Sequence, residues 1–209
     1  MRELRYTLVS DGPSDDALIP ILSWLLHEHG TLPIIPSWAD FRRLTRPPKK
    51  LAARILHALE SYPCDLLFVH RDAENQSANW RRNEIDEALA IIGTSPAPIV
   101  GHVIPIRMTE AWLLFDEGAL RSAAGNPNGK VILNLPKIVD LENVPDPKQI
   151  LHEQLRVASE LRHRRLKSFS AREKSRRVAE YIEDFAPLRV LSAFKTLETE
   201  IIELLNKLG

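Results

Sequence analysis

Leu66-Leu67-Phe68-Val69-His70-Arg71-Asp72-Ala73-Glu74-Asn75 is the stretch that decides the fold. Its first four residues are apolar without alternation. That is the text of a strand buried on both faces, as in parallel sheets covered by helices on each side. Asp72 and Glu74 follow directly, so the strand runs into a loop that carries carboxylates. Upstream, Tyr6-Thr7-Leu8-Val9 is a second β-rich run, ended by Asp11-Gly12-Pro13. Ala17, Leu18, Ile21, Leu22, Leu25 and Leu26 then recur at helical spacing and predict a helix over 14–29, stopped by Gly30. Residues 32–38 are apolar but hold Pro33 and Pro36, which suit an edge strand or extended loop. Leu51, Ile55, Ala58 and Leu59 predict a second helix and residues 80–92 a third; 99–106 reads as a strand, and 111–115 opens a fourth helix.

Strands alternating with helices predict an α/β fold with a parallel sheet. The text changes after Gly125-Asn126-Pro127-Asn128-Gly129, a loop signal. Beyond it, helices are predicted over 147–167, 171–185 and 188–208. The expected organisation is an α/β core over residues 1–125 and a mostly helical C-terminal extension over 126–209 packed on it. The loop equally suits an insertion within one domain.

Composition narrows the function. The chain has 209 residues, with 28 Lys plus Arg against 28 Asp plus Glu, so a uniformly basic nucleic-acid coat is excluded. Separated basic patches are not. Cys64 is the single cysteine, which excludes an internal disulfide and a cysteine-rich zinc module. There is no signal-peptide apolar stretch and no run of about 18 apolar residues. The expectation is a soluble, cytoplasmic protein without a membrane partner.

The acids fall at strand ends. Asp11, Asp15 and Asp16 follow the first strand, Asp72 and Glu74 the buried strand, and Glu110 the strand ending near Ile106. In a parallel sheet these ends share one edge, where ligands bind. Converging carboxylates repel one another, and a hard divalent cation such as Mg²⁺ or Mn²⁺ relieves that repulsion and can polarise a phosphodiester. Each acid also has a plainer reading. Ser14, Asp15 and Asp16 suit helix caps and first-turn positions; Asp11 is balanced between a turn and a metal; Glu110 alone is an ordinary first-turn acid.

The order "LVSDGPSDDAL", "LLFVHRDAEN", "IPIRMTEAWLLFD" resembles the Toprim-like fold, the catalytic domain of topoisomerases, primases and OLD-type nucleases. It is most similar to a compact bacterial Toprim-related family of uncharacterised function. The motifs cover about the first 125 residues, and "FAPLRVLSAFKTLETEI" adds a less specific likeness. The resemblance implies a Rossmann-like parallel sheet and a magnesium-dependent phosphodiesterase or nuclease acting on DNA or RNA. Asp11, where that family usually has Glu, and Asp72 with Glu74, at its D-x-D, would hold the metal. Glu110 of Glu110-Ala111-Trp112-Leu113 would assist as ligand or base. Asp11 is one methylene shorter than Glu, so Asp15 or Asp16 is an alternative there, and Glu74 replaces an Asp. The resemblance also implies bacterial relatives, an ATPase partner and a setting of phage defence or nucleic-acid repair. The alternative is a non-catalytic regulatory or binding subunit that keeps the fold.

His70-Arg71-Asp72 spells a kinase triplet, but Ser77 stands where its Asn belongs and no glycine-rich loop is present. Gly12-Pro13-Ser14 lacks the P-loop Gly-Lys-Ser/Thr. His70 suits a proton shuttle or a satisfied strand-end histidine. Arg71 and Arg107 suit a substrate phosphate or a neighbouring carboxylate. Basic stretches hold Arg42, Arg43, Arg46, Lys49, Lys50 and Arg54, and then Arg156, Arg162, Arg164, Arg165, Lys167, Arg172, Lys174, Arg176 and Arg177. They suit a phosphate track or solvated helix faces, with Lys167 and Lys174 as candidate substrate contacts. Trp38 and Trp80 suit base stacking or packing. The Leu188–Leu205 apolar stripe suits core, or self-association as a homodimer.

Overall fold

The computed structural model of the protein describes residues 2–93 and 98–208; the side chain of Arg43, part of the first basic stretch, lies outside the described residues. Among the described residues, four strands form one sheet in the order β2-β1-β3-β4, where β1 is Leu4–Val9, β2 Ile34–Trp38, β3 Leu66–His70 and β4 Val100–Val103. Every pairing is parallel, with Leu8 opposite Trp38 and Phe68, and Val69 opposite His102. The fold is therefore α/β with an all-parallel sheet, consistent with a Rossmann-like core. β2 lies at an edge, which lets Pro36 sit within it without costing a ladder hydrogen bond on both sides. All of β3 is buried, as its unbroken apolar run requires.

Alternate residues of β3 feed two cores. Leu66 and Phe68 join the larger cluster, and Leu67 and Val69 the smaller one. The larger core contains α1 (Leu18–His29) and the C-terminal helices; the smaller one contains Ile55 and Ala58 of α2 (Leu51–Ser61) and Ile85 and Ala88 of α3 (Ala78–Ile92). The chain thus winds outward from β1 to β2, returns to β3 beside β1, and moves on to β4. The winding reverses between β1 and β3.

The C-terminal helices break more often than apolar periodicity predicts. Residues 147–167 divide into α5 (Pro147–Ala158) and α6 (His163–Lys167), because Glu160 and His163 take positive φ of 51° and 48°. The Glu160 carboxylate accepts from the Val131 backbone N–H at 2.9 Å, so this break anchors the loop opposite. Residues 171–185 give only α7 (Ala171–Ser175) and a 3-10 turn, and 188–208 give a 3-10 turn followed by α8 (Ser192–Leu208). The fourth helix begins as a 3-10 turn, Thr109–Leu113, and α4 is Glu117–Ala123. The predicted 14–29 helix likewise opens as a 3-10 turn, Pro13–Ala17.

The stripe Leu188, Leu191, Phe194, Leu197, Ile201 and Leu204 is core, shared with β1 and β3. Gly101 of β4 explains how α8 comes so close: a Cβ there would meet the Phe68 ring at 2.6 Å and Leu204 at 3.0 Å. Among the described residues, no helix is long and apolar enough to cross a membrane.

Candidate functional site at the strand ends

The winding reversal falls at the C-terminal ends of β1 and β3, the place where open α/β sheets bind ligands. The last residue of β3, His70, is 1% exposed there. Its Nε2 lies 3.1 Å from Asp72 Oδ1 and 3.1 Å from Thr109 Oγ1. Its Nδ1 faces Asp15 Oδ2 at 3.5 Å and makes no hydrogen bond. Burial opposes the imidazolium, but Asp72 and Asp15 outweigh it and raise the His70 pKa to about 10. Burial also works against the Asp15 carboxylate, yet His70 and the Gly12 N–H hold its pKa below the usual range. Asp15 accepts from that N–H at 2.8 Å, so it serves the turn and the histidine together.

Asp72 is fixed from the other side by the Thr109 backbone N–H, which donates to Oδ1 at 2.8 Å. The next residue, Glu110, is buried, and Lys148 Nζ of α5 stands 2.8 Å from its Oε1. This ion pair is off hydrogen-bond alignment, leaving Oε1 buried without a hydrogen bond. Burial lowers the Lys148 pKa, but Glu110, Asp15 and Asp72 together raise it. His152, one turn along α5, has a buried Nε2 without a partner, and burial with the Lys148 charge lowers its pKa. Asp15 and Asp72 thus hold His70 between them, and Glu110 holds Lys148.

The other expected site residues are differently placed. Asp11 accepts from Arg54 Nη1 at 3.0 Å and from Arg71 Nη1. Arg71 also grips Glu84 of α3, with Nη2 2.7 Å and Nε 3.2 Å from its carboxylate oxygens. Glu74 is largely exposed and pairs with Arg81 at 3.3 Å. Arg81 in turn donates to the Asp72 carbonyl at 2.8 Å and to Glu84 at 3.0 Å. Arg107 contacts Asn75 at 3.2 Å. Glu74 and Arg107 both take left-handed backbone, φ 52° and 67°, and the Glu74 N–H donates to the Arg107 carbonyl at 2.9 Å. Non-glycine residues in that region carry strain, and strain gathers at functional loops.

Lys167 and Lys174 stand on α6 and α7, and among the described residues no ion pair joins either to the strand-end acids. Of the second basic stretch, Arg176 is bound to Asp16. Trp38 donates from Nε1 to Ser10 Oγ at 3.0 Å with the Arg42 guanidinium 4.9 Å above its ring. Trp80 is half exposed, with Arg81 5.0 Å from its ring centroid.

As arranged, Asp11, Asp72 and Glu74 do not fit a metal. Guanidinium groups hold Asp11 and Glu74, and among the described residues no three His, Cys, Asp or Glu side chains are grouped to ligate one ion. Sequence reasoning missed Thr109, Lys148, Arg81 and Glu84. Only Lys148 left a trace: a cation in the first turn of a helix opposes the dipole, so its place in Asp146-Pro147-Lys148 asks for a tertiary partner. Comparison of the chain with models of protein families, with curated proteins and with solved structures finds no match in any of the three.

Proposed function

We propose that the chain is a Toprim-like phosphodiesterase that cleaves DNA or RNA at the C-terminal ends of β1 and β3. The observation that carries this reading is that Asp15 and Asp72 close on buried His70 at the strand ends, with the Glu110–Lys148 pair following Thr109, which donates to Asp72. A histidine buried with carboxylates at the C-terminal ends of parallel strands is a candidate reactive group. His70, held charged, fixes the orientation of the Asp72 and Asp15 carboxylates. Lys148, with its ammonium partly open to solvent, and Arg71 are the cations that can meet a phosphate oxygen. Mg²⁺ or Mn²⁺ belongs to this reading through the resemblance to Toprim nucleases, where it supplies charge stabilisation at the phosphate. An ATPase partner and a role in phage defence or repair belong to it on the same ground.

A second reading, a non-catalytic binding or regulatory subunit, is favoured by one observation: Asp11, Glu74, Asp72 and Glu110 each already have a protein cation. Incubation with single- and double-stranded DNA and RNA, with Mg²⁺, Mn²⁺ or EDTA, decides between them. Cleavage that needs metal and disappears in Asp72→Asn supports the enzyme. Folded protein that binds these nucleic acids and cleaves none supports the subunit.

A further inference from the structure

Of the four tryptophans in the chain, three are packed. Trp112 is fully buried in the larger core, and Trp24 and Trp38 pack against it. Trp80 differs. It is 48% exposed, and among the described residues it joins neither core cluster. A side chain that large, left half in water, forgoes much of the burial that stabilises tryptophan elsewhere. It ends a run, residues 74–80, in which every residue is exposed and no other is aromatic.

The loop that carries Asp72 sets its place. The Trp80 backbone N–H donates to Oγ of Ser77, the N-cap of α3, at 3.1 Å, which holds the residue in the first turn of the helix. The Arg81 guanidinium lies 5.0 Å from the centroid of the Trp80 ring, and Arg81 Nε donates to the Asp72 carbonyl at 2.8 Å. One buried arginine thus links the ring to the site loop. The same loop holds a second group without a complement. Arg107 is partly exposed, contacts the Asn75 side chain at 3.2 Å, and among the described residues forms no ion pair. Its carbonyl accepts from the Glu74 N–H at 2.9 Å. An aromatic ring without a core and a guanidinium without an acid are therefore attached to one loop. A single-stranded nucleotide supplies the complement of each, an unstacked base and a phosphate. In a duplex the bases are stacked on one another and closed to the ring.

We propose that Trp80 stacks on an unpaired base of single-stranded nucleic acid while Arg107 takes a neighbouring phosphate, so that this loop selects single strands. The proposal rests on the phosphodiesterase reading for what is cleaved, but its test reads binding alone. Labelled oligothymidylate, oligouridylate and a blunt-ended duplex are titrated with the full chain in EDTA and followed by anisotropy, and unlabelled strands are followed by indole fluorescence. Parent, Trp80→Phe, Trp80→Ala and Arg107→Ala are compared, with thermal melts to show that each is folded.

Single strands should quench the parent's indole fluorescence. Trp80→Ala should weaken single-strand binding at least about tenfold and leave duplex binding unchanged. Trp80→Phe keeps a ring, so it should bind within a few-fold of the parent yet lose the quenching, since the other three indoles are packed. Arg107→Ala should reduce the slope of log affinity against log salt by about 0.7 on single strands. Absence of single-strand binding in the parent, equal losses on single strand and duplex in Trp80→Ala, or quenching retained in Trp80→Phe overturns the proposal. So does a Trp80→Ala that melts lower but binds as the parent does, which would make the ring a packing partner of Arg81. Stacking signatures without cleavage in Mg²⁺ or Mn²⁺ leave the proposal standing and remove the phosphodiesterase. Metal-dependent cleavage with binding unchanged in Trp80→Ala does the reverse.

Discussion

Two histidines of this protein are each held between two carboxylates, and their surroundings differ. His70 lies between Asp15 and Asp72 at the end of β3. His102 lies between Glu200 and Asp86 on β4, with Nδ1 2.6 Å from one and Nε2 3.0 Å from the other. The second cluster is a clasp. Glu200 of α8 reaches the open edge of β4, accepts from the His102 backbone N–H at 3.0 Å, and takes Arg82 of α3 at 2.5 Å. It ties together the helices on the two faces of the sheet and covers a strand edge that would otherwise offer a free donor. A groove of about 520 Å³ beside it is lined by Arg82, His102 and Glu200 together with residues of α8 such as Lys195, Thr199 and Lys207. Around His70, by contrast, buried atoms lack partners and the adjoining loops are strained. Pairing is complete around His102 and incomplete around His70, and it is the incomplete cluster on which the proposed function rests.

Removing each histidine should separate them most strongly. His70→Leu leaves Asp15 and Asp72 as facing charges with Asp15 buried, which should cost about 3–5 kcal/mol in urea unfolding. His102→Leu leaves Glu200 on Arg82 and should cost about 1–2 kcal/mol. Equal losses would erase the distinction.

The clasp should also respond to acid. Burial works against the Glu200 carboxylate, but His102 and Arg82 hold its pKa down to about 2, from an ordinary 4.5. A depressed carboxylate contributes its stability above the unfolded value and loses it as pH falls toward the folded one. That contribution, about 1–2 kcal/mol after solvent screening, should therefore fade between pH 4.5 and 2. Melting curves over that range should show a smaller decline in Glu200→Gln than in the parent.

Strain gives the smallest effect. Glu74→Gly should stabilise the fold by roughly 0.5–1 kcal/mol, because glycine takes φ 52° freely and Arg81, on losing Glu74, keeps Glu84 and the Asp72 carbonyl. No gain would mean that the loop beside Asp72 stores no strain.

The sheet was legible in the sequence because β3 is apolar without a break and the other strands are bounded by Gly, Pro and Asp. The edge position of residues 32–38 followed from Pro36, which cannot donate to a ladder. The C-terminal helices were legible only as apolar stripes. Their breaks depend on Glu160 and His163 adopting left-handed backbone against a distant loop, which no local pattern encodes. Asp72 follows β3 as the sequence suggests, whereas Glu110 stands on the 3-10 turn Thr109–Leu113, after a strand that ends at Val103 and not near Ile106. Lys148 is 38 positions beyond Glu110, and only the packing of α5 brings it there. Asp15 read as a turn-forming acid, and it is one; its contact with His70 is visible only once β1 and β3 are neighbours.

The contrast between the two histidine clusters is tested most directly by Asp72→Asn and Glu200→Gln, each measured for nucleic-acid cleavage and for melting temperature. The account predicts that Asp72→Asn loses at least about 100-fold in cleavage while remaining folded, a loss of the size expected for a reacting group. Glu200→Gln should melt several degrees lower and cleave as the parent does. Cleavage retained in Asp72→Asn, or lost equally in both variants, would contradict it.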